Sequence, residues 1–100
     1  MTPVRYHQAA EDELLDEIGY LELQVPGLGR RFYAEIRRAE VRIVQFPEAA
    51  PEVVPGIRKY SLLKFPFSIL YSIEQDCLLV LAVAHQRRRP SYWIGRVLSR

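Results

Sequence analysis

An unbroken apolar run near the end of the chain constrains the fold more than any other feature. Residues 77–84, Cys-Leu-Leu-Val-Leu-Ala-Val-Ala, are apolar at every position. A strand with one solvated face alternates apolar and polar residues, whereas a short continuous run is typical of a strand covered on both faces. We therefore predict that Cys77–Ala84 is the interior strand of a sheet.

Two helical patterns precede this run. Apolar residues recur at intervals of three and four from Gln8 to Val25, and the opposite face is acidic. This spacing predicts an amphipathic helix, with its acids on a solvated face. Pro26-Gly27 interrupts the pattern, and a second stripe covers residues 28–46. Two helices joined by so short a turn must run antiparallel.

The remaining segments favour β-structure. We expect an extended loop over 47–56, where three prolines fall, a hairpin turn at Gln75-Asp76 and a closing helical turn within 90–96. The other predicted strands are Pro3–His7, Ile57–Leu63 and Phe67–Glu74, the last with alternating apolar residues. The order is β-α-α-β-β-β in one domain spanning residues 1–100. The predicted fold class is α+β, with two antiparallel helices packed on an antiparallel sheet.

Charge is divided sharply between the two halves of the chain. Residues 1–56 carry six Arg or Lys against ten Asp or Glu, and residues 57–100 carry eight against two. The last sixteen residues hold five arginines and no acid, and they follow directly on the apolar run. This arrangement suits a negatively charged partner: nucleic acid, a nucleoprotein complex or an acidic protein segment.

Other site classes find little support in the composition. The single cysteine, Cys77, excludes an intramolecular disulfide and a cysteine metal cluster, and we expect it to be a small core residue. We expect no metal and no cofactor. No stretch approaches the ~20 apolar residues that span a bilayer, and the N-terminus lacks a segment of signal-peptide length. We therefore expect a cytoplasmic protein with no membrane contact.

Two motifs carry a resemblance to a known family. They are Phe65-Pro-Phe-Ser-Ile-Leu-Tyr71 and the ending His85-x-Arg-Arg-x-Pro-x-Tyr-Trp93, followed by Arg96. In their order and spacing, over about residues 3–96, they resemble the RelE/ParE superfamily of toxins from type II toxin–antitoxin modules. The resemblance implies a cognate antitoxin as partner, docked on the helix surfaces or an open sheet edge.

The two branches of this superfamily differ in chemistry. RelE-like toxins cleave messenger RNA on the ribosome, and ParE-like toxins inhibit DNA gyrase by binding. Of the RelE nuclease positions, this chain keeps Lys59 and Arg87, but two cationic positions fall on Ser61 and Ser68. The terminal tyrosine position falls near Trp93, which cannot act as an acid or base, although Tyr92 lies beside it. The ending resembles the ParE branch, which implies an inhibitor of gyrase rather than an enzyme.

Two alternatives remain open at this point. The first is a ribosome-dependent messenger-RNA endonuclease, in which Lys59 and Arg87 stabilise charge and Tyr92 or His85 carries the proton. Its partners would be the ribosome and messenger RNA. The second is a decayed module without toxicity that binds nucleic acid.

For the gyrase inhibitor we predict a target-binding surface with no catalytic residue. Its candidate residues are Arg58, Lys59, Arg87, Arg88, Arg89, Trp93 and Arg96. Trp93 also fits a packing anchor for the tail, and His85 fits a strand-end residue with one satisfied hydrogen bond. Arg58 and Lys59 are neighbours in a strand, so their side chains point to opposite faces of the sheet.

Overall fold

The computed structural model describes residues 2–99, in which two helices lie on a five-stranded sheet. In chain order the elements are β1 (Val4–Tyr6), α1 (Gln8–Gln24), α2 (Leu28–Gln45), β2 (Glu52–Val54), β3 (Ile57–Ser61), β4 (Phe67–Ile73), β5 (Leu78–His85) and a 3-10 helix (Ile94–Ser99). The α+β class and the pair of helices are as predicted. No helix within this range is long and apolar enough to cross a membrane.

The strands lie side by side in the order β1-β5-β4-β3-β2. Strands β2 to β5 pair in antiparallel fashion, and β1 pairs with β5 in parallel. A parallel neighbour requires a long crossover, which the two helices and the intervening strands supply. Because β1 pairs only with residues 78–80, the later part of the outer edge of β5 has no strand beside it.

The helical hairpin forms where the sequence breaks between the two apolar stripes. Gly27 adopts a left-handed conformation with φ 88°, which glycine tolerates without strain. The carboxylate of Glu22 then accepts hydrogen bonds from the backbone N–H groups of Gly27 and Gly29, at 2.7 and 3.0 Å. A Cβ on Gly29 would lie 2.3 Å from the carbonyl oxygen of Ile18, so the close approach of the helices requires glycine there.

The main core lies between the helices and one face of the sheet. Phe32 and Ile36 of α2 pack there with Ile69 and Tyr71 of β4, and all four are fully buried. The Tyr71 hydroxyl donates a hydrogen bond to the carbonyl oxygen of Pro47 at 2.6 Å. The apolar helical stripes therefore provide most of the burial on this face.

The second face of the sheet is covered by the end of the chain. Trp93 packs there against Ile57, Leu70 and Leu81. As a result, the predicted alternation of β4 is not seen as alternating burial, because residues 67–72 are all buried. Cover on both faces explains the continuous apolar run of β5, as predicted.

Several details of the predicted fold were wrong. The sheet is mixed, because β1 runs parallel to β5. The expected loop 47–56 contains β2, which pairs with β3 across a turn at Gly56, where φ is 83°. Cys77 lies half-buried before β5 and not in the strand core. The closing turn expected within 90–96 is present as a turn at 90–93, but it continues beyond the predicted end as a 3-10 helix at Ile94–Ser99.

Candidate functional site

The C-terminal tail, residues 86–99, is attached to the sheet by one large aromatic side chain. Only 5% of the Trp93 surface is exposed to solvent, and the side chain belongs to the smaller hydrophobic cluster on the second face of the sheet. Full burial of a side chain of this size contributes about 2–3 kcal/mol at the usual apolar transfer energy. The prediction that Trp93 anchors the tail is confirmed, and its burial leaves little surface for contact with a partner.

A cluster centred on Glu13 ties the same tail to α1. The Glu13 carboxylate accepts two hydrogen bonds from the Arg96 guanidinium, each of 2.9 Å, and one from the Tyr92 hydroxyl, of 2.7 Å. The side chains of Glu13 and Arg96 each retain 18% exposure. Charge-assisted, two-pronged contacts of this kind fix orientation as well as position. Arg96 was expected on the exposed target-binding surface, and it lies instead in this half-buried ion pair.

The Glu13 cluster also closes the sheet edge that β1 leaves unpaired. The backbone N–H of Val83 donates to Glu13 Oε1 at 3.1 Å, and Arg96 Nη1 donates to the carbonyl oxygen of Leu81 at 2.9 Å. An open strand edge is a template for pairing with another chain. Side chains from α1 and the tail occupy this one.

Ionisation states in the cluster follow from these contacts. Burial alone would raise the pKa of Glu13, but the hydrogen bonds from Arg96, Tyr92 and the Val83 amide outweigh it, and the pKa lies below its usual value. Burial and the hydrogen bond to Glu13 both raise the pKa of Tyr92. Tyr92 therefore remains a neutral donor and Glu13 an ionised acceptor at neutral pH.

The tail and the second face of the sheet enclose a cavity of about 280 Å³, which we call the cationic cleft. Its lining includes Lys59 of β3 and Arg88 and Arg89 of the tail. The full lining is Val53, Lys59, Ser68, Leu70, Ala84, His85, Gln86, Arg88, Arg89, Pro90, Ser91, Tyr92 and Trp93. None of these residues is acidic, so the cleft carries a positive field that no charge in its wall offsets.

The three consecutive arginines of the tail differ in their surroundings. The Arg88 guanidinium stacks on the Tyr92 ring at 3.9 Å from its centroid, an arrangement that holds the cation in place. Arg87 is exposed and does not line the cleft. Lys59 and Arg89 form no ion pair with another residue of the 2–99 range.

Arg58 lies away from this group, on the helix face of the sheet. Its Nη1 donates to the carbonyl oxygens of Glu48 and Ala50, at 2.9 and 2.6 Å. It thus secures the segment between α2 and β2. The prediction that Arg58 and Lys59 occupy opposite faces is confirmed, and only Lys59 lies on the face that carries the tail.

His85 ends β5 at the mouth of the cleft. Its Nδ1 accepts a hydrogen bond from the backbone N–H of Arg87 at 3.0 Å, and its ring meets the Phe67 ring edge to face at 5.0 Å. These contacts fit the predicted strand-end histidine. The Arg87 contact helps to turn the chain from β5 into the tail.

The residues at the nuclease positions do not support RNA cleavage. Ser61 and Ser68 are cross-strand partners whose hydroxyl oxygens lie 3.2 Å apart, so the two missing cations are replaced by one neutral pair. Tyr92 is bound to Glu13 and has a raised pKa, which disfavours proton release. Lys59, Arg88 and Arg89 remain as cations at the cleft.

Sequence reasoning missed two residues of this site. Glu13 was assigned to a solvated acidic face, among neighbours that do remain exposed, such as Asp12 and Asp16. Only the contact with a tail about 80 positions later distinguishes it. Ser91 is the other, a non-glycine residue with φ 67° at the rim of the cleft. Its position after Pro90 was the only local signal.

Within residues 2–99 no group of three or more metal-ligating side chains occurs. The polar groups that line the cationic cleft include cations and hydroxyl groups. A rigid cationic surface of this type can bind an anionic partner and orient it.

Comparisons with known proteins agree on the family and on the fold. The family model for the ParE toxin of the type II toxin–antitoxin system parDE matches residues 4–90. A solved structure described as the chromosomal ParDE toxin–antitoxin system from P. aeruginosa is similar, with a TM-score of 0.70 at 19% identity. The match covers 85% of this chain and 96% of that one. No curated protein matches the sequence significantly.

Proposed function

Because the chain belongs to the ParE family of toxins from type II toxin–antitoxin systems, we propose that it inhibits DNA gyrase by binding and that a cognate antitoxin neutralises it. Inhibition of gyrase is the role known for this family. The proposal places the activity in the cytoplasm, where gyrase and its DNA are found.

One observation carries the proposal: a rigidly attached tail presents exposed arginines beside a cationic cleft. Trp93 and the Glu13–Arg96 pair fix the tail at two points. Arg87, Arg88 and Arg89 lie exposed before these anchors. Because the backbone that carries these cations is anchored, binding costs less conformational entropy than it would for a mobile end. Such a surface can hold an enzyme–DNA complex in a blocked state without any chemical step by the toxin.

Parallel assays test this function. Purified protein should inhibit supercoiling by gyrase and should leave messenger RNA intact in a coupled translation reaction. Ribosome-dependent cleavage of messenger RNA with supercoiling unaffected would replace gyrase with the ribosome as the target. Inactivity in both assays by folded protein would favour the decayed module.

For the antitoxin we propose a groove between α2 and the β3–β4 hairpin. Val41 and Leu63 are 57% and 91% exposed there, and Arg38, Arg42 and Lys64 line the same groove. The one acid of the lining, Glu35, forms an ion pair with Arg38 at 2.6 Å. The groove has a volume of about 390 Å³. Exposed apolar anchors in a groove whose lining has a net positive charge are complementary to an amphipathic segment with acidic flanks. An antitoxin segment of that composition is the occupant we propose.

Co-expression tests the partner. Expression of this chain alone should arrest growth, and expression together with its cognate antitoxin should restore it. Harmless expression of folded protein alone would contradict the assignment of an active toxin.

A further inference from the structure

The cationic cleft brings together cations from two distant parts of the chain. Lys59 comes from β3, and Arg88 and Arg89 come from the tail. Like charges that line one cavity repel each other, and water at their exposed positions screens part of that repulsion. Since no lining residue is acidic and Lys59 and Arg89 lack ion pairs in the 2–99 range, the folded chain itself does not offset this repulsion. A bound anionic ligand would offset this repulsion.

Polar groups of the kind that contact phosphate accompany these cations. Ser68 lies at the floor, sharing a hydrogen bond with Ser61, and Ser91 lies at the rim. Ser91 has φ 67°, a conformation that costs free energy for a residue with a side chain and that clusters at binding sites. Serine, arginine and lysine side chains are among the groups that donate hydrogen bonds to nucleic-acid phosphates.

We propose that the cationic cleft binds the phosphodiester backbone of DNA, so that the toxin contacts the DNA of a gyrase–DNA complex as well as the enzyme. This inference rests on the proposed function, because a toxin bound to gyrase works beside DNA. A single carboxylate is satisfied by one two-pronged arginine. Three cations in one cleft instead match a polymer that carries a phosphate about every 3.4 Å along each strand.

The apolar part of the lining supports the same ligand. Val53, Leu70 and Ala84 contribute apolar atoms to the same lining. The deoxyribose of a bound backbone presents an apolar face of matching character. Trp93 is buried and the Tyr92 ring is covered by Arg88, so neither ring is available for base stacking. Binding should therefore depend on the backbone and show little preference for sequence.

Fluorescence anisotropy with a short labelled DNA duplex and the purified full chain tests the proposal. Binding should be measurable at about 50 mM salt and should weaken steeply towards 200 mM. Neutralising about three phosphates predicts a slope near −3 in a plot of log binding constant against log salt concentration. The double variant Lys59→Gln with Arg89→Gln should bring that slope to about −1.

Matched variants separate the cleft from general positive charge. Arg31→Gln removes one exposed cation from α2, away from the cleft, and should leave the slope within about half a unit of the wild type. Arg87→Gln, which lies next to the cleft without lining it, should weaken DNA binding less than Arg89→Gln does. Native Trp93 fluorescence in each variant shows that the tail remains attached.

The outcomes distinguish this inference from the proposed function. The phosphate site would be overturned if Arg31→Gln and the cleft variants lost DNA affinity equally, or if the folded protein did not bind DNA. Displacement of the DNA by a short polyglutamate peptide at lower concentration than by unlabelled DNA would assign the cleft to an acidic protein segment instead. If supercoiling is inhibited without DNA binding, the gyrase proposal survives and the cleft proposal fails. If the protein binds DNA but does not inhibit supercoiling, the cleft proposal survives and the gyrase proposal fails.

Discussion

Glu13 and Arg96 are 83 positions apart in sequence, and their side chains meet in two parallel contacts of 2.9 Å. This pair connects the first helix to the end of the chain across the unpaired edge of β5. It explains why Glu13 is half-buried although its neighbours Asp12 and Asp16 are exposed. It also holds the backbone of the tail, which carries the other arginines, against the sheet.

The first prediction concerns the stability that this pair provides. Glu13→Ala leaves Arg96 without its carboxylate and removes the acceptor of the Tyr92 hydroxyl and the Val83 amide. We expect the free energy of unfolding to fall by about 2–3 kcal/mol, the usual loss for hydrogen bonds to a charged group. Urea denaturation measures the loss. Asp16→Ala, an exposed acid on the same helix, is the control and should change stability by less than about 0.5 kcal/mol. Equal effects would refute the special role of Glu13.

The pH dependence of stability should reveal the same carboxylate. Contacts with Arg96 and Tyr92 lower the pKa of Glu13 in the folded protein. Its contribution is therefore complete above the unfolded value of about 4.3 and is lost as the pH falls through the lower folded pKa. The stability difference between wild type and Glu13→Gln should shrink as the pH falls from 6 towards about 2.5. A difference that stays constant over this range would show that ionisation of Glu13 does not matter.

Trp93 should report attachment of the tail. It is the only tryptophan and is 5% exposed, so its fluorescence should be blue-shifted in the native state and move to the red when the tail detaches. Trp93→Ala should lower the free energy of unfolding by about 3–5 kcal/mol, because it leaves a cavity between tail and sheet. Ile94→Ala, at a 45% exposed position, is the control and should cost much less. A native emission already at the solvent-exposed wavelength would contradict this packing.

The elements that the sequence predicted well are those with local, repeated signals. The two helical stripes gave Gln8–Gln24 and Leu28–Gln45 almost to the residue, because every turn adds another apolar position. The apolar run gave β5 for a similar reason. By contrast, β2 has three residues and is stabilised by pairing with β3 around Gly56, so it leaves little trace in the local pattern.

The candidate site was harder to predict because it depends on distant contacts. A run of arginines indicates positive charge, but it does not say that Arg88 stacks on Tyr92 or that Arg96 turns back to α1. The alternation of β4 predicted one buried face, and Trp93 supplied the cover for the second. Charge patterns thus identified the surface, and tertiary packing decided which cations it presents.

The antitoxin groove gives a separate prediction. Leu63→Glu places an acid at a 91% exposed position in the lining of that groove. We expect affinity for the antitoxin to fall at least about tenfold, or 1.4 kcal/mol, because an apolar anchor is lost. Inhibition of gyrase should be unaffected, since the groove does not include the tail. Titration calorimetry and the supercoiling assay measure the two properties. Loss of both together would mean that the two surfaces overlap.

The last prediction concerns the exposed cation that lies next to the cleft. Arg87→Glu reverses a charge at the start of the tail, where Arg87 is exposed. If gyrase is bound by electrostatic attraction, the concentration for half-inhibition of supercoiling should rise about tenfold, and the increase should shrink at high salt as the charges are screened. Arg31→Glu on α2 changes the net charge equally and should have a much smaller effect, because that residue lies outside the tail and the cleft. If both variants weaken inhibition alike, net charge alone drives association, and the fixed direction of the tail plays no part in recognition.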